Sequence, residues 1–185
     1  MTPRERLRRL LGERSFRTGS FKLSSGKTSD FYIDCRATTM HAEGLHLIGE
    51  VGLDALDRIG WRPDLVGGLT MGADPIAYAL ASESWRRGRP IHAFSMRKHL
   101  KRHGTARRIE GCYEPGARVV VVEDVITSGE SALQVCRAVQ EEGGEVLGVL
   151  ALVDRQEGGS EAIGDAGIPL TSLYTPSDLR AASPV

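Results

Sequence analysis

Four consecutive valines, residues 119–122, run directly into two adjacent acids, Glu123 and Asp124. This feature limits the possible folds more than any other, because an unbroken apolar strand has to be buried on both faces. Sheets covered on both faces are mostly parallel, and helices form the covering layers. The run therefore predicts a central strand of an α/β fold over residues 118–123. In such sheets the ligand site lies beyond the carboxyl ends of the strands, where the two acids stand.

The rest of the chain alternates between apolar strands and helical patterns, which supports a parallel sheet. Besides residues 118–123, strands are predicted over residues 65–69, 91–96, 146–153 and 170–174. Helices are predicted over residues 41–59, 75–85 and 128–142. In the first of these helices, we expect Leu45, Ile48, Leu53, Leu56 and Ile59 to share one side.

The first forty residues have a different texture. Thr2 and Glu5 form a capping box with Pro3 at the first helical position, and Gly12 can end this helix. Residues 21–23 and 31–33 flank a polar segment and predict a hairpin or loop. At the other end of the chain, we expect the tail after Asp178 to be loosely ordered.

Size and charge exclude several classes of protein. The 185 residues are enough for one domain and few for two. The formal net charge is zero, so we expect neither nucleic acid nor a membrane surface as a partner. Three cysteines without C-x-x-C spacing indicate a reducing compartment. The sequence shows neither a signal peptide nor about 18 successive apolar residues, so we predict a cytoplasmic protein.

The turn after the two acids has the chemistry of a phosphate site. It leads into a predicted helix, whose first N–H groups and dipole attract a phosphate. Thr127, Ser128 and Ser131 add hydroxyl groups, and Gly129 allows a close backbone approach. The acids would repel a phosphate but suit sugar hydroxyls or a magnesium shell. A ribose 5-phosphate meets both demands.

The simpler alternative is an ordinary N-capped helix after a buried strand. Capping explains Thr127 or Ser128 alone, but it leaves the two adjacent acids unexplained. The segment has neither the G-x-x-x-x-G-K-[ST] pattern of a P-loop nor the G-x-G-x-x-G pattern of a dinucleotide site.

Residues 97–110 are a second candidate site, with six Arg or Lys residues and one acid. Such a run can be a solvated surface or a nucleic-acid patch. A loop of this length is more often functional, for example as a lid. Cations on a lid that closes over a diphosphate would neutralise the charge that develops on it as a leaving group.

Residues 119–131 resemble the thirteen-residue phosphoribosyl diphosphate signature of the type I phosphoribosyltransferases. The first acid of that signature is more often aspartate, and Glu123 is one methylene longer. The resemblance implies that Glu123 and Asp124 act in catalysis by holding the ribose 2- and 3-hydroxyls. It also implies that the following residues wrap the 5-phosphate: Val125, Ile126, Thr127, Ser128, Gly129, Glu130 and Ser131.

The same resemblance implies the type I phosphoribosyltransferase fold, a parallel β-sheet flanked by helices with a small hood formed largely by the N-terminal region. Residues 1–185 would form a single domain. Its hood and base-binding segment would occupy about residues 1–40, its core sheet about residues 60–175, and its mobile catalytic loop residues 97–110.

The pattern R-K-x-x-K-x-H-G in the basic loop resembles the catalytic loop of the orotate phosphoribosyltransferases. It implies that Arg97, Lys98, Lys101 and His103 contact the diphosphate, with Lys101 as the main catalytic cation. The resemblance further implies Mg²⁺, held mainly through phosphoribosyl diphosphate rather than by protein ligands. It implies a homodimer in which this loop reaches the neighbouring subunit's site.

Two further segments resemble the orotate-binding parts of that family. Residues 21–34 match its amino-terminal segment, in which Phe31 or Tyr32 would cover the base, unless both are core residues. Residues 153–157 match its D-R-Q-E strand end, where Arg155 would pair with the orotate carboxylate and Thr127 would also touch it. The alternative for Arg155 is an ion pair with Asp154 or Glu157.

Residues 67–75 occupy the place of the family's diphosphate-binding turn, where glycines expose backbone N–H groups. Several relatives carry a lysine in this turn, and this chain has none.

Taken together, these motifs imply an enzyme that converts orotate and phosphoribosyl diphosphate into orotidine 5-phosphate and diphosphate, in pyrimidine biosynthesis. Two alternatives stay open: a phosphoribosyltransferase for another nucleobase, and a regulator that senses phosphoribosyl diphosphate while it binds nucleic acid.

Overall fold

A computed structural model of the protein describes residues 1–22, 26, 28–98 and 108–182. Helices in these ranges are α1 (Pro3–Arg14), α2 (Arg36–Thr39), α3 (Ala42–Ile59), α4 (Ala73–Arg86), α5 (Glu130–Glu141), α6 (Gly159–Asp165) and α7 (Pro176–Arg180). The strands are β1 (Phe16–Lys22), β2 (Thr28–Ile33), β3 (Leu65–Leu69), β4 (His92–Met96), β5 (Ile109–Gly111), β6 (Arg118–Ile126), β7 (Glu145–Asp154) and β8 (Leu170–Tyr174).

The main sheet has six strands in the order β5-β4-β3-β6-β7-β8. Neighbouring strands pair in parallel, apart from β5, which runs antiparallel to β4 at one edge. The predicted parallel sheet with flanking helices is therefore confirmed, with one antiparallel edge strand that the sequence pattern did not indicate.

The four valines of β6 are fully buried, and alternate members pack into different layers. Val120 and Val122 join a core with residues of α3 and α4. Val119 and Val121 join a second core with residues of α5. A helical layer on each face of the sheet thus explains why this strand has no polar position among its valines.

Strand β6 extends further than predicted. The sequence pattern placed its end at Glu123, but pairing with β7 continues to Ile126, which lies opposite Asp154. Pairing with β3 stops earlier, at Val121. The two acids therefore lie inside a strand that is paired with β7 on one side and is no longer paired with β3 on the other.

Strands β1 and β2 form a separate antiparallel sheet, as the hairpin prediction required. The predicted capping box of α1 is also present, with Thr2 and Glu5 bonded reciprocally. The prediction that Gly12 ends α1 was wrong, because the helix continues to Arg14. Gly12 instead allows close packing, since a β-carbon there would lie 2.9 Å from the carbonyl oxygen of Leu179.

The expectation of a loose tail after Asp178 was also wrong for the described residues. Helix α7 continues to Arg180, and Leu179 is fully buried. The sequence pattern did not predict the short helices α6 and α7, because they have too few turns to show a helical period of apolar residues.

The bounds of β3 and β8 match their predictions, and, apart from β6, the other predicted elements of the main sheet and its helices differ by one or two residues at an end. Helix α3 matches its prediction closely and ends at Gly60, which has a φ of 79°. Ile59 was expected on its buried side but is 43% exposed. Helix α4 begins two residues early, at Ala73, and α5 begins two residues late, at Glu130. In the predicted basic loop, residues 109 and 110 belong to β5, and residues 99–107 lie outside the described residues.

None of the helices in the described ranges combines the length and the apolarity needed to cross a membrane.

Candidate active site

The predicted site residues Glu123 and Asp124 both line a cavity of about 410 Å³ at the carboxyl edge of the main sheet. The rest of the described lining comes from four separate parts of the chain: Arg36, Leu69, Thr70, Met71, Gly72, Lys98 and Ser131. The structure therefore brings the acids together with the start of the basic loop and with the glycine-containing turn.

Glu123 is almost completely buried, with 8% of its surface exposed. Its Oε2 atom has no hydrogen-bond partner in the described part of the chain. Burial, together with the negative charge of Asp124, raises the pKa of Glu123 to about 8. This carboxyl group therefore keeps its proton to a higher pH than an ordinary glutamate does, and in the protonated form it can donate a hydrogen bond.

Asp124 is held by its own backbone and by the neighbouring turn. The Val125 N–H group donates to Oδ1 over 2.9 Å. On the other side lies Gly72, where a β-carbon would come within 2.6 Å of the same oxygen. The turn between β3 and α4, which includes a cis peptide bond between Thr70 and Met71, is thus packed directly against this acid.

Residues 125–132 line a second, smaller cavity of about 100 Å³, together with Glu123. Gly129 is the N-cap residue of α5, with a φ of 76°, and no side chain caps the helix. The N–H group of Glu130 donates to the Oγ atom of Ser128 over a long 3.4 Å. The other first-turn N–H groups have no such side-chain partner among the described residues and are available to a ligand. A β-carbon on Gly129 would lie 2.9 Å from the carbonyl oxygen of Gly159, so this position requires glycine for two reasons.

The basic loop is described only at its two ends. Lys98 lines the larger cavity. Arg97 instead pairs with Glu110 across the base of the loop, with Nε 3.2 Å from Oε1. Lys101 and His103 lie outside the described residues.

Arg155 directly follows β7 and lies beside the phosphate loop. Its N–H group donates to the carbonyl oxygen of Ile126, the residue before Thr127. Its guanidinium group pairs with Glu157 at 2.7 Å and covers the ring of Phe31, with Cζ 4.6 Å from the ring centroid. The ion pair considered as an alternative is therefore present, but it holds a side chain that is only 6% exposed.

The two aromatic candidates of β2 have different surroundings. Phe31 contacts Arg155 and stacks on Phe16, with ring centroids 5.5 Å apart. Tyr32 is 41% exposed, and its ring is tilted against that of Phe21. Successive residues of a strand point to opposite faces, so Phe31 and Tyr32 cannot play the same role.

Arg36 is a site residue that the sequence motifs missed. It is the first residue of α2, and it lines the larger cavity together with both acids. Asp34 holds it through two parallel bonds, of 2.8 Å to Nε and 2.9 Å to Nη2. The same contact lowers the pKa of the Asp34 carboxyl group below its usual value. The sequence held one signal, a basic residue two positions after the base-binding segment.

Comparison with known proteins places these features in a family. The model of the phosphoribosyl transferase domain matches residues 41–166. The orotate phosphoribosyltransferase of Aquifex aeolicus is 49% identical over 182 residues, which cover 97% of this chain and 98% of that protein.

Two solved structures are similar over nearly the whole chain. The Mycobacterium tuberculosis orotate phosphoribosyltransferase in complex with Fe(III) dicitrate is 43% identical, with a TM-score of 0.85, and covers 96% of this chain and 99% of that one. The same enzyme in complex with 5-phospho-α-D-ribosyl 1-diphosphate is 40% identical, with a TM-score of 0.81 and the same coverage.

Proposed function

This chain belongs to the phosphoribosyl transferase family, and we propose that it transfers the 5-phosphoribosyl group from phosphoribosyl diphosphate to orotate. The products are orotidine 5-phosphate and diphosphate, in the synthesis of pyrimidine nucleotides. One observation carries the proposal: two acids lie between an uncapped helix start and a cavity lined by cations. This arrangement fits a sugar that carries a phosphate at one end and a diphosphate at the other.

The smaller cavity takes the 5-phosphate. The N–H groups of the first turn of α5 donate to its oxygens, with hydroxyl groups from Thr127, Ser128 and Ser131 beside them. Glu123 and Ser131 line both cavities, so the ribose lies where the two cavities meet. Its 2- and 3-hydroxyls then face Glu123 and Asp124.

The two acids divide the work at the ribose. Glu123, whose raised pKa favours the protonated carboxyl group, donates a hydrogen bond to a ribose hydroxyl. Asp124 accepts one, and its negative charge favours the positive charge that develops on the ribose. Displacement at the anomeric carbon passes through an oxocarbenium-like state, so this electrostatic support lowers the barrier.

Mg²⁺ fits this site as an ion that binds together with the substrate. The described residues contain no group of three or more His, Cys, Asp or Glu side chains that could hold a metal ion. Mg²⁺ typically takes one or two carboxylates and completes its shell with water and substrate phosphates. We therefore assign most of its ligands to phosphoribosyl diphosphate. When bound, it neutralises charge on the departing diphosphate.

The basic loop neutralises the rest of that charge. Lys98 already lines the cavity, and Lys101 and His103 follow it in the loop. Arg97 joins them when it leaves Glu110 and binds the diphosphate instead. Its ion pair with Glu110 is exposed and therefore costs little free energy to break. Lys101 is the main catalytic cation.

Arg155 selects orotate among the nucleobases. Glu157 and the Phe31 ring hold its guanidinium group just beyond the end of β7, where it pairs with the orotate carboxylate. Phe31 acts through Arg155, whereas the exposed ring of Tyr32 covers the base. Uracil and the purines lack this carboxylate and therefore bind more weakly.

The enzyme works as a homodimer. Met71, Tyr78 and Trp85 recur every seven residues along α4 and its preceding turn, and each is more than half exposed. Such a stripe of large apolar side chains marks an interface. Because Met71 also lines the cavity, a second copy docked on this stripe lies next to the active site, within reach of a shared loop.

The three cysteines are free, which agrees with a cytoplasmic location.

A single assay tests the proposal: the loss of orotate absorbance when phosphoribosyl diphosphate and Mg²⁺ are added to the protein. Turnover with orotate, and little with uracil or the purines, is the expected result. A preference for another nucleobase would assign the chain to a different reaction of the same type. Salt-sensitive DNA binding without any turnover would indicate a regulator.

A further inference from the structure

We infer that Arg36 binds the diphosphate end of phosphoribosyl diphosphate, as a cation supplied by the start of α2 in addition to those of the basic loop. This inference rests on the proposed function. Arg36 comes from the hood, directly after β2, yet it lines the cavity formed by the sheet edge and the turn at residues 70–72.

The charges around the cavity create the need for such a cation. Thr70, Met71 and Gly72 form the turn beside the diphosphate and carry no positive charge. Opposite them stand the carboxyl groups of Glu123 and Asp124. A ligand with several phosphate charges binds there only if basic side chains offset both its own charge and the negative charge of Asp124. Within the described lining, Arg36 and Lys98 are the basic residues.

Arg36 is held in one orientation before any ligand binds. Its Nε and Nη2 donate to the two oxygens of Asp34, and its own backbone N–H group donates to Oδ1 over 3.1 Å. Among the described residues, no hydrogen bond involves Nη1. A guanidinium group that is already fixed on one edge loses little further freedom when its other edge meets a phosphate.

The two cavities separate the two ends of the substrate. Arg36 belongs to the larger one, with the turn and Lys98, and is absent from the described lining of the phosphate-loop cavity. An interaction with the diphosphate therefore has a distinct signature: it strengthens the binding of diphosphate and leaves the binding of ribose 5-phosphate unchanged.

The experiment compares Arg36→Gln with Arg17→Gln by titration calorimetry, using Mg²⁺-diphosphate and ribose 5-phosphate as separate probes. Arg17 is a matched control, because it is exposed, lies near Asp34 and does not line the described cavity. We expect Arg36→Gln to weaken diphosphate binding by about tenfold, the loss of one charge-assisted hydrogen bond at a half-exposed site. Binding of ribose 5-phosphate should change less than about twofold in either variant.

Two further variants separate binding from folding. Asp34→Asn leaves the charge of Arg36 but releases its orientation, so it should weaken diphosphate binding by roughly threefold. Arg36→Lys retains the charge and should recover part of the affinity lost in Arg36→Gln. Both results, with unchanged melting temperatures, support a direct contact.

The possible failures are distinguishable. If the wild-type protein turns over orotate but Arg36→Gln binds diphosphate as tightly as wild type does, the inference is overturned and the proposed function stands. Equal weakening for both probes would also overturn it, since Arg36 would then shape the site as a whole. A wild-type protein that lacks orotate turnover would overturn the proposed function and this inference with it.

Discussion

The α-carbon of Gly72 lies so close to Asp124 that a β-carbon at that position would come within 2.6 Å of the Oδ1 atom of the carboxylate. No real β-carbon tolerates this distance, and the backbone φ of Gly72 is an ordinary −64°. Glycine is therefore needed here for space and not for backbone freedom. The contact joins the proposed diphosphate turn to Asp124, the acid that we propose faces the ribose.

Substitution of Gly72 by alanine should displace the Asp124 carboxylate. We expect kcat/KM for phosphoribosyl diphosphate to fall by about 100-fold, and the free energy of unfolding to fall by about 1–3 kcal/mol through overpacking. Steady-state kinetics and chemical unfolding measure the two effects. The matched control is Gly164→Ala in α6, where a β-carbon meets nothing within 4 Å. A Gly72→Ala enzyme with full activity would contradict the proposed role of this contact.

Glu123→Gln should change the pH dependence of stability. The pKa of Glu123 is raised from 4.5 to about 8 in the folded protein, so folding favours its protonated form. Its contribution is fully present below pH 4.5 and is lost as the pH rises towards 8. Between these limits, wild type should lose about 1.4 kcal/mol per pH unit relative to the variant.

Urea unfolding of both proteins at pH 5, 6, 7 and 8 measures this difference. Glu141→Gln, at an exposed position at the end of α5, is the control and should give a flat difference. A flat difference for Glu123→Gln as well would show that its carboxyl group ionises normally in the folded protein.

Phe31→Leu should affect orotate and not phosphoribosyl diphosphate. The ring of Phe31 lies under the Arg155 guanidinium and helps to hold it in place. Loss of this cation–π contact at a buried site should weaken orotate binding by roughly three- to tenfold. We expect KM for orotate to rise by that factor while KM for phosphoribosyl diphosphate stays constant. Tyr32→Leu should raise KM for orotate and also KM for an orotate analogue without the carboxylate. If Phe31→Leu and Tyr32→Leu behave alike on both bases, the division of roles between them is wrong.

Lys101→Ala should lower turnover far more than it weakens orotate binding. A cation that meets charge only as the leaving group departs contributes to the transition state, and its loss typically costs about 100-fold in kcat. Single-turnover kinetics and orotate titration separate the two effects. Arg58→Ala, an exposed cation in the last turn of α3, is the control. Unchanged turnover in Lys101→Ala would remove the catalytic role of the loop.

Tyr78→Glu should dissociate the proposed dimer. A charge placed in the middle of the exposed apolar stripe of Met71, Tyr78 and Trp85 has no partner there once the stripe is covered. Sedimentation velocity should show a shift from dimer to monomer, with a concurrent loss of activity if the loop is shared. Ser82→Glu, at an exposed position of the same helix, is the control. A wild-type protein that sediments as a monomer would contradict the proposal directly.

The central strand and the turn that leads into α5 could be predicted from the sequence because each depends on neighbouring residues. Four consecutive valines require burial on both faces wherever they occur. The Thr-Ser-Gly turn before α5 carries its hydroxyl groups and N–H groups within one short segment of the chain. The extent of β6 could not be read in this way. Whether Glu123 and Asp124 lie beyond the strand or inside it depends on how far β7 continues beside them.

The sequence by itself determined the layered α/β fold, the acidic edge and the run of basic residues after β4, because each depends on residues that are neighbours in the chain. Only the tertiary structure decided which distant residues complete the site. Arg36 reaches the cavity from the hood, Gly72 is packed against Asp124 from another strand's turn, and Phe31 meets Arg155 across more than a hundred residues. Contacts of this kind leave no period or spacing in the sequence, since packing between separate elements alone sets their distance.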